Sequence, residues 1–556
     1  MLLGMLPSTL TSSTPLPVSR RHFSLSRWLS SPWMLLLALL LSFFLGAATL
    51  PLTDVDEGAF TEATREMLAA DNLVSPTLNG QPRHDKPILI YWAQAVSVSV
   101  LGINELGFRL PSLISAVLWV LATGLFCARY GRRADAPLAM LVMTLSLMVG
   151  MIAKAAIADA LLNLWLALSM FGIYAYSEAA RQNDGARARL ALRLTALALG
   201  LGFLTKGPVA LMFPVLVCGL YLLSIRQWRL IRDALLDFPA WLLLIATVLP
   251  WHVLVYLDQG DAFFRGFYLQ HNVNRYTSTF EGHGGNPLYY LLVLPFVLLP
   301  FSGWLLVSLR RAWRHWRVAG EMAAETHLLR FLVLWFSVVF VFFSLSRTQL
   351  PHYLLYGCTP LFILMARYRP LRQQRWLVLL PGVAGMALIA LLPVLLPAFS
   401  QRLVKPDDLA MLAALIEAFD PVLIAGLALL AFVSVVLAVS RRLPPWQTLV
   451  LIGLLQSVAL NGLLAPAIMS VTQVPIKALA EISRAEAWPV VSYRVSQPSF
   501  SVYRQAVTPS RLPVVGEVVF TRRDRLSELE SRLQPAHLEL LSERGRFVLA
   551  VVRSMP

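Results

Sequence analysis

The sequence predicts a mainly α-helical polytopic membrane bundle of about 13 transmembrane helices, with interfacial helices and a small C-terminal α/β domain. Three observations predict it. Apolar residues make up 57% of the 556-residue chain and charged residues 14%, with a mean hydropathy of +0.65; a soluble domain runs near about 45–50% and about 25%. The apolar surplus recurs in blocks about as long as a bilayer core requires of a helix, roughly 20 residues. Every second connection between those blocks is rich in arginine, the charge asymmetry that orients membrane helices.

The blocks lie near 33–50, 106–128, 136–153, 159–176, 191–207, 208–225, 237–256, 287–309, 328–345, 350–366, 376–397, 421–440 and 447–468. The 191–225 stretch divides at Lys206-Gly207-Pro208, where the proline removes a helical donor. With the N-terminus in the cytoplasm, basic groups such as Arg129/Arg132/Arg133, Arg310/Arg311/Arg314/Arg317 and Arg367/Arg369/Arg372/Arg375 share the cytoplasmic side. An odd number of spans carries the tail to the opposite side. The net charge of +16, from 47 Lys+Arg against 31 Asp+Glu, therefore reports topology and contact with anionic membrane lipids, not nucleic acid. Cys127, Cys218 and Cys358 all sit in apolar runs, which excludes a disulfide scaffold.

The organisation follows. Residues 1–32, rich in Ser, Thr and Pro, read as a disordered cytoplasmic arm, and the first span reads as an anchor, not a signal peptide. Residues 33–469 form the transmembrane domain. Its first external loop, 52–105, carries an amphipathic helix at Ala59–Ala70 and an apolar stretch at Pro87–Val100 too short to span, both expected in the interface. Residues 470–556 change composition: β-rich runs at Pro489–Val495, Val514–Thr521 and Phe547–Arg553 surround a helical pattern at Arg525–Arg532, a small external α/β domain.

The chemistry gathers in the external loops. Asp54, Asp56 and Glu57 crowd the start of the first loop. Helix capping alone could explain Asp56 and Glu57, but three acids within a turn of a bilayer surface are costly unless used. Asp159 sits at the tip of a short connection, where a cap or a pair with Lys154 is the plain alternative. Lys206 ends a span on the same side, where snorkelling would explain it. The loop Asp258–Asn286 brings His271 and Arg275, and Arg347 to Tyr353 adds a cation and a phenol. Asp85 with His271 is a partial set for a divalent ion, with no linear metal motif to complete it. Lys86, Lys206, Arg275 and Arg347 suit an anionic lipid head such as a phosphate. No nucleotide-binding fingerprint occurs, so no nucleotide cofactor is expected and an activated substrate must arrive on a lipid.

Taken in order, Asp56-Glu57-Gly58-Ala59-Phe60 with Arg65-Glu66-Met67, Asp85-Lys86-Pro87, Leu204-Thr205-Lys206-Gly207, His271-Asn272 with Arg275, and Leu350-Pro351-His352-Tyr353 resemble the integral-membrane GT-C glycosyltransferases. The branch they resemble is the bacterial aminoarabinose (lipid A) transferases, related to the protein O-mannosyltransferases. The resemblance covers about residues 33–368, and Val490-Val491-Ser492-Tyr493, Gln497-Pro498-Ser499 and Tyr503 extend it into the tail. It implies inverting transfer of a sugar, 4-amino-4-deoxy-L-arabinose, from a polyprenyl-phosphate carrier to lipid A at the outer face of the bacterial inner membrane. Asp56 and Asp159 are then the catalytic carboxylates. Lys86, Lys206, Arg275, Tyr353 and Glu57 contact the donor phosphate or sugar, and Asp85 with His271 matches positions that bind a divalent ion in such enzymes. The same chemistry on a protein or another envelope lipid is the nearest alternative. A lipid-linked-sugar transporter is more remote, because its binding groups belong near the bilayer midplane.

Overall fold

The computed structural model describes residues 31–274, 286–318, 324–400 and 406–554. The expected arm at 1–32 lies almost wholly outside the described residues. Pro32–Leu39 (α1) begins at Ser31, whose side chain accepts the Met34 N–H, with proline in the first turn where its missing donor costs nothing. It runs on as a π-helix, Leu40–Phe44. The first loop then holds Asp56–Ala69 (α2), a small antiparallel hairpin of Thr77–Leu78 (β1) and Gln81–Pro82 (β2), and Leu89–Leu101 (α3). Both expected loop helices are present. Helix α2, however, is buried continuously from Glu57 to Met67. It packs against α3 on one side and the C-terminal segment on the other, so it is enclosed by protein instead of lying on the membrane.

The bundle continues with Glu105–Tyr130 (α4), Ala136–Leu145 (α5), Leu147–Lys154 (α6), Asp159–Arg181 (α7), Gly185–Lys206 (α8) and Val209–Ser224 (α9). Trp228–Leu236 (α10), Phe238–Gln259 (α11) and Ala262–Phe264 (α12) follow, the last running into a π-helix, Arg265–Asn274. Tyr289–Val297 (α13), Ser302–Val318 (α14), Ala324–Leu345 (α15), Leu355–Arg367 (α16) and Arg375–Phe399 (α17) come next. Pro406–Ala418 (α18), Pro421–Val439 (α19), Pro445–Val458 (α20) and Ala465–Thr472 (α21) complete it. Among the described residues 8 helices are long and apolar enough to cross a membrane, or up to 10 with two bent pairs. All thirteen expected segments carry helix, those near 33–50, 208–225 and 350–366 as shorter pieces.

Two expected spans are broken. Helices α5 and α6 meet at 70° and α13 and α14 at 110°. Pro300 interrupts the second pair by withholding a donor. The breaks complete each other: the Leu147 N–H freed at one donates to the Leu299 carbonyl freed at the other, at 2.9 Å, and Gln456 Nε2 donates to the same oxygen at 3.3 Å. Buried backbone groups are thereby satisfied far from water. Around them an apolar core filled by Trp119, Trp304 and Trp335 holds α4, α14 and α15 together.

Beyond the bundle, Val474–Ala485 (α22), Val490–Ser492 (β3), Ser499–Arg504 (α23), Val518–Arg522 (β4), Leu526–Leu533 (α24), His537–Arg544 (β5) and Phe547–Arg553 (β6) form the α/β tail. Its four strands run β3-β4-β6-β5, with β3 parallel to β4 and the other pairs antiparallel. Phe500 stacks on Phe520 at 4.0 Å and Phe520 on Phe547 at 5.6 Å. Strand β5 lies outside the expected set because this edge strand, nowhere fully buried, carries no sustained apolar run or alternation of its own. The tail meets the first loop directly: Lys477 pairs with Glu105 at 2.6 Å and the Tyr503 hydroxyl accepts the Leu52 N–H at 2.6 Å. The tail and the first loop therefore lie together at one end of the bundle.

Candidate active site

The first loop enters as Thr53 to Gly58, and its three acids have three different fates. Asp54 accepts the Ser499 N–H at 2.9 Å and the Ser499 hydroxyl, and burial raises its carboxyl to about 7. Glu57 is buried and grips Arg109 by both oxygens, at 2.7 and 2.9 Å, while also accepting the N–H groups of Thr53 at 2.7 Å and Ala156 at 3.0 Å. Arg109 spends its remaining donors on the carbonyls of Ala47, Leu50 and Pro51. A carboxylate so engaged fixes the Arg109 guanidinium and the backbone on either side of it. Asp56, between them, opens α2 and is exposed, and no hydrogen bond or ion pair takes up its carboxylate among the described residues.

Asp56 faces a basic loop. Burial works against the Arg83 charge, but Tyr91, Asp85 and Asp56 around it hold its pKa above the ordinary value. Arg83 donates to Asp85 at 3.0 Å and to the Tyr91 hydroxyl at 3.1 Å, and lies over the Phe60 ring. Lys86 is buried and meets the other Asp85 oxygen at 2.7 Å. The hairpin before it is fixed by Glu66, which accepts from Thr77 and from the Gly80 N–H.

A second cluster forms where α7 begins, α8 ends and α16 begins. Lys206 Nζ donates to Asp159 at 2.7 Å and to the Tyr356 hydroxyl at 2.8 Å, and Tyr356 donates to Asp159 at 2.6 Å. His352 Nε2 stands 3.6 Å from the same carboxylate. The Lys206 ammonium also lies 5.3 Å from the Tyr353 ring centre. Three residues singled out in the sequence thus converge. Tyr356 and His352 join them, and Tyr356 was legible only as the helical neighbour of Tyr353 at i+3.

The π-helix Arg265–Asn274 runs between the two clusters. A side chain at Gly266 would meet His84 at 2.6 Å, and one at Gly207, which has φ +78°, would meet Phe267 at 2.4 Å. Gly207 ends α8 in a conformation other residues resist, which leaves Lys206 as the last helical residue, facing the cluster. Arg275 lies outside the described residues, as does the side chain of His271. The divalent ion expected on Asp85 and His271 is unsupported. Among the described residues no group of three or more His, Cys, Asp or Glu could hold a metal, and both Asp85 oxygens already face cations.

Comparison with known proteins fits this geometry. The family model described as dolichyl-phosphate-mannose-protein mannosyltransferase matches residues 33–264. An undecaprenyl phosphate-alpha-4-amino-4-deoxy-L-arabinose arabinosyl transferase of Aeromonas salmonicida is 30% identical over 74% of this chain and 73% of its own length. The chain belongs to that arabinosyl transferase family. The family's member from Pseudomonas paraeruginosa is 34% identical over 60% of each chain, and the one from Pseudomonas aeruginosa PAO1 is 33% identical over 54% of its own length. The chain thus spans little more than half the length of these two arabinosyl transferases. The crystal structure of ArnT from Cupriavidus metallidurans bound to undecaprenyl phosphate superposes with a TM-score of 0.75 at 20% identity, covering 93% of this chain and 97% of that one. The fold of that structure therefore extends over both the bundle and the tail of this chain.

Proposed function

We propose that the protein is an inverting glycosyltransferase that moves 4-amino-4-deoxy-L-arabinose from undecaprenyl phosphate to lipid A. The reaction takes place at the outer face of the inner membrane, with the N-terminus cytoplasmic and the tail periplasmic. The observation that carries this reading is the unengaged Asp56 carboxylate beside the Arg83–Asp85–Lys86 set, on the same face as the Asp159–Lys206–Tyr356 cluster. The relatives' name, an undecaprenyl phosphate-alpha-4-amino-4-deoxy-L-arabinose arabinosyl transferase, supports the donor in this reading.

In this reading the bond between the anomeric carbon and the carrier phosphate breaks as an acceptor oxygen attacks from the opposite side. Positive charge grows on the sugar and negative charge on the leaving phosphate. Lys86 and Arg275 stabilise that phosphate, the preorganised electrostatic contribution that dominates many enzymes. Lys206 and Tyr353 line the donor path, and Asp159 orients Lys206. Asp56 orients the attacking group, and for a hydroxyl acceptor it takes the proton; a lipid A phosphate is already ionised and needs only orientation.

Mass spectrometry of lipid A from cells with and without the protein tests the reading. An increment of one aminopentose that depends on the protein is the expected result. Unchanged lipid A with a newly glycosylated protein would favour the second reading, a protein acceptor, which the mannosyltransferase match over 33–264 supports.

A further inference from the structure

We infer that helix α23 of the tail is a positioning element for the reaction: Ser499, through Asp54, and Tyr503, through Leu52 and Glu105, fix the segment that presents Asp56. The inference rests on the reading of Asp56 as the catalytic carboxylate. It assigns the tail a part in catalysis distinct from covering the site.

Every neighbour of Asp56 that could relax is held. Two residues before it, Asp54 takes both donors of Ser499, backbone at 2.9 Å and hydroxyl. Two residues after it, Gly58 lets α2 close on α23: a side chain there would meet Asp54 Oδ1 at 2.1 Å and the Ser499 nitrogen at 2.7 Å. At the base of the segment, the Tyr503 hydroxyl accepts the Leu52 N–H at 2.6 Å and donates to Glu105 at 3.1 Å. Lys477 completes that corner, paired with Glu105 at 2.6 Å and 4.9 Å from the Tyr503 ring centre. Leu52, Phe108 and Val502 form a small apolar cluster beneath these contacts. From inside the bundle, Arg109 and Glu57 close the opposite jaw. The segment is thus clamped between tail and bundle, with Asp56 the open carboxylate between two engaged ones.

A clamp of this kind acts on rate. A reacting group displaced by about 1 Å costs on the order of 100-fold in turnover, and groups that lock a catalytic residue do so without touching substrate. Lys86, the donor-phosphate residue of this reading, is held by Asp85, so the effect belongs in kcat and not in the KM for donor.

The test uses the full-length protein in detergent or nanodiscs, with undecaprenyl phosphate-linked aminoarabinose and lipid A. Ser499→Ala is expected to lower kcat about 10- to 100-fold with donor KM within about twofold. Ser499→Thr, which keeps the hydroxyl, should restore most of the rate. Tyr503→Phe, which keeps the ring, serves as a second and milder variant with a kcat loss of about 5- to 20-fold. Wild-type kcat in Ser499→Ala, or a lowered thermal midpoint with unchanged kcat per folded molecule, would overturn the inference by making the clamp structural only. Equal loss in the Ala and Thr variants would also overturn it. No transfer by the wild-type protein would overturn the functional reading itself, which separates the two failures.

Discussion

At the scale of single residues, the contrast between Asp56 and Glu57 shows what adjacency conceals. Consecutive helical residues project about 100° apart, so one carboxylate faces outward while the next is buried against Arg109. The sequence marked both as acids at a membrane surface, and their fates depend on a residue fifty positions away. Asp159 and Lys206 were legible because a charged residue at the end of an apolar span needs a partner, whereas the role of Tyr353 entered through the family resemblance. That reasoning extends to a prediction. Lys206→Met leaves the Asp159 carboxylate buried without its ammonium, and loss of one partner of a buried pair costs about 3–5 kcal/mol. The thermal midpoint should fall clearly. The double variant Asp159→Asn/Lys206→Met should recover most of the midpoint while remaining inactive, which separates the pair's structural contribution from its place in the site.

At the scale of elements, the joints between segments decide where the site residues stand, and joints were the least legible part of the sequence. The bends at α5/α6 and α13/α14 interrupt runs that read as continuous spans, because the hydrogen bond that completes them links Leu147 to Leu299. Strand β5 was missed for the same reason: its partner β6, and not its own pattern, makes it a strand. The Arg109 joint yields a second prediction. Its planar fork serves one carboxylate and three carbonyls at once, a geometry lysine cannot reproduce. Arg109→Lys should therefore destabilise the folded protein by about 2–3 kcal/mol, measurable as a lower thermal midpoint. The Asp54 joint yields a third, on pH. Its folded carboxyl lies at about 7, above the 3.8 of an ordinary aspartate, because of burial. A group raised in the folded state contributes stability that is complete below its unfolded pKa and is lost as pH rises through the folded one. The thermal midpoint should accordingly decline between about pH 4 and pH 7, and Asp54→Asn should flatten that decline. Glu62, raised by burial to about 8, adds a similar slope that Asp54→Asn leaves in place.

At the scale of the whole molecule, composition and the alternation of basic loops were enough to foresee a helical membrane bundle with an α/β tail on the side of the first loop. They could not say how that tail docks, since Ser499 and Tyr503 carry no signal until Asp54 and Glu105 are seen opposite them. The account's central claim is that side chains from the first loop, α7, α8 and α16 form one catalytic site for a lipid-linked sugar. Its most direct measurement is release of undecaprenyl phosphate from the aminoarabinose-linked donor by the purified protein with lipid A present, for wild type, Asp56→Asn and Lys86→Ala. Release by the wild type, less than about 1% of that rate in folded Asp56→Asn, and weakened donor binding in Lys86→Ala are the predicted results. Near-normal release by Asp56→Asn, or donor binding indifferent to Lys86, would contradict the account.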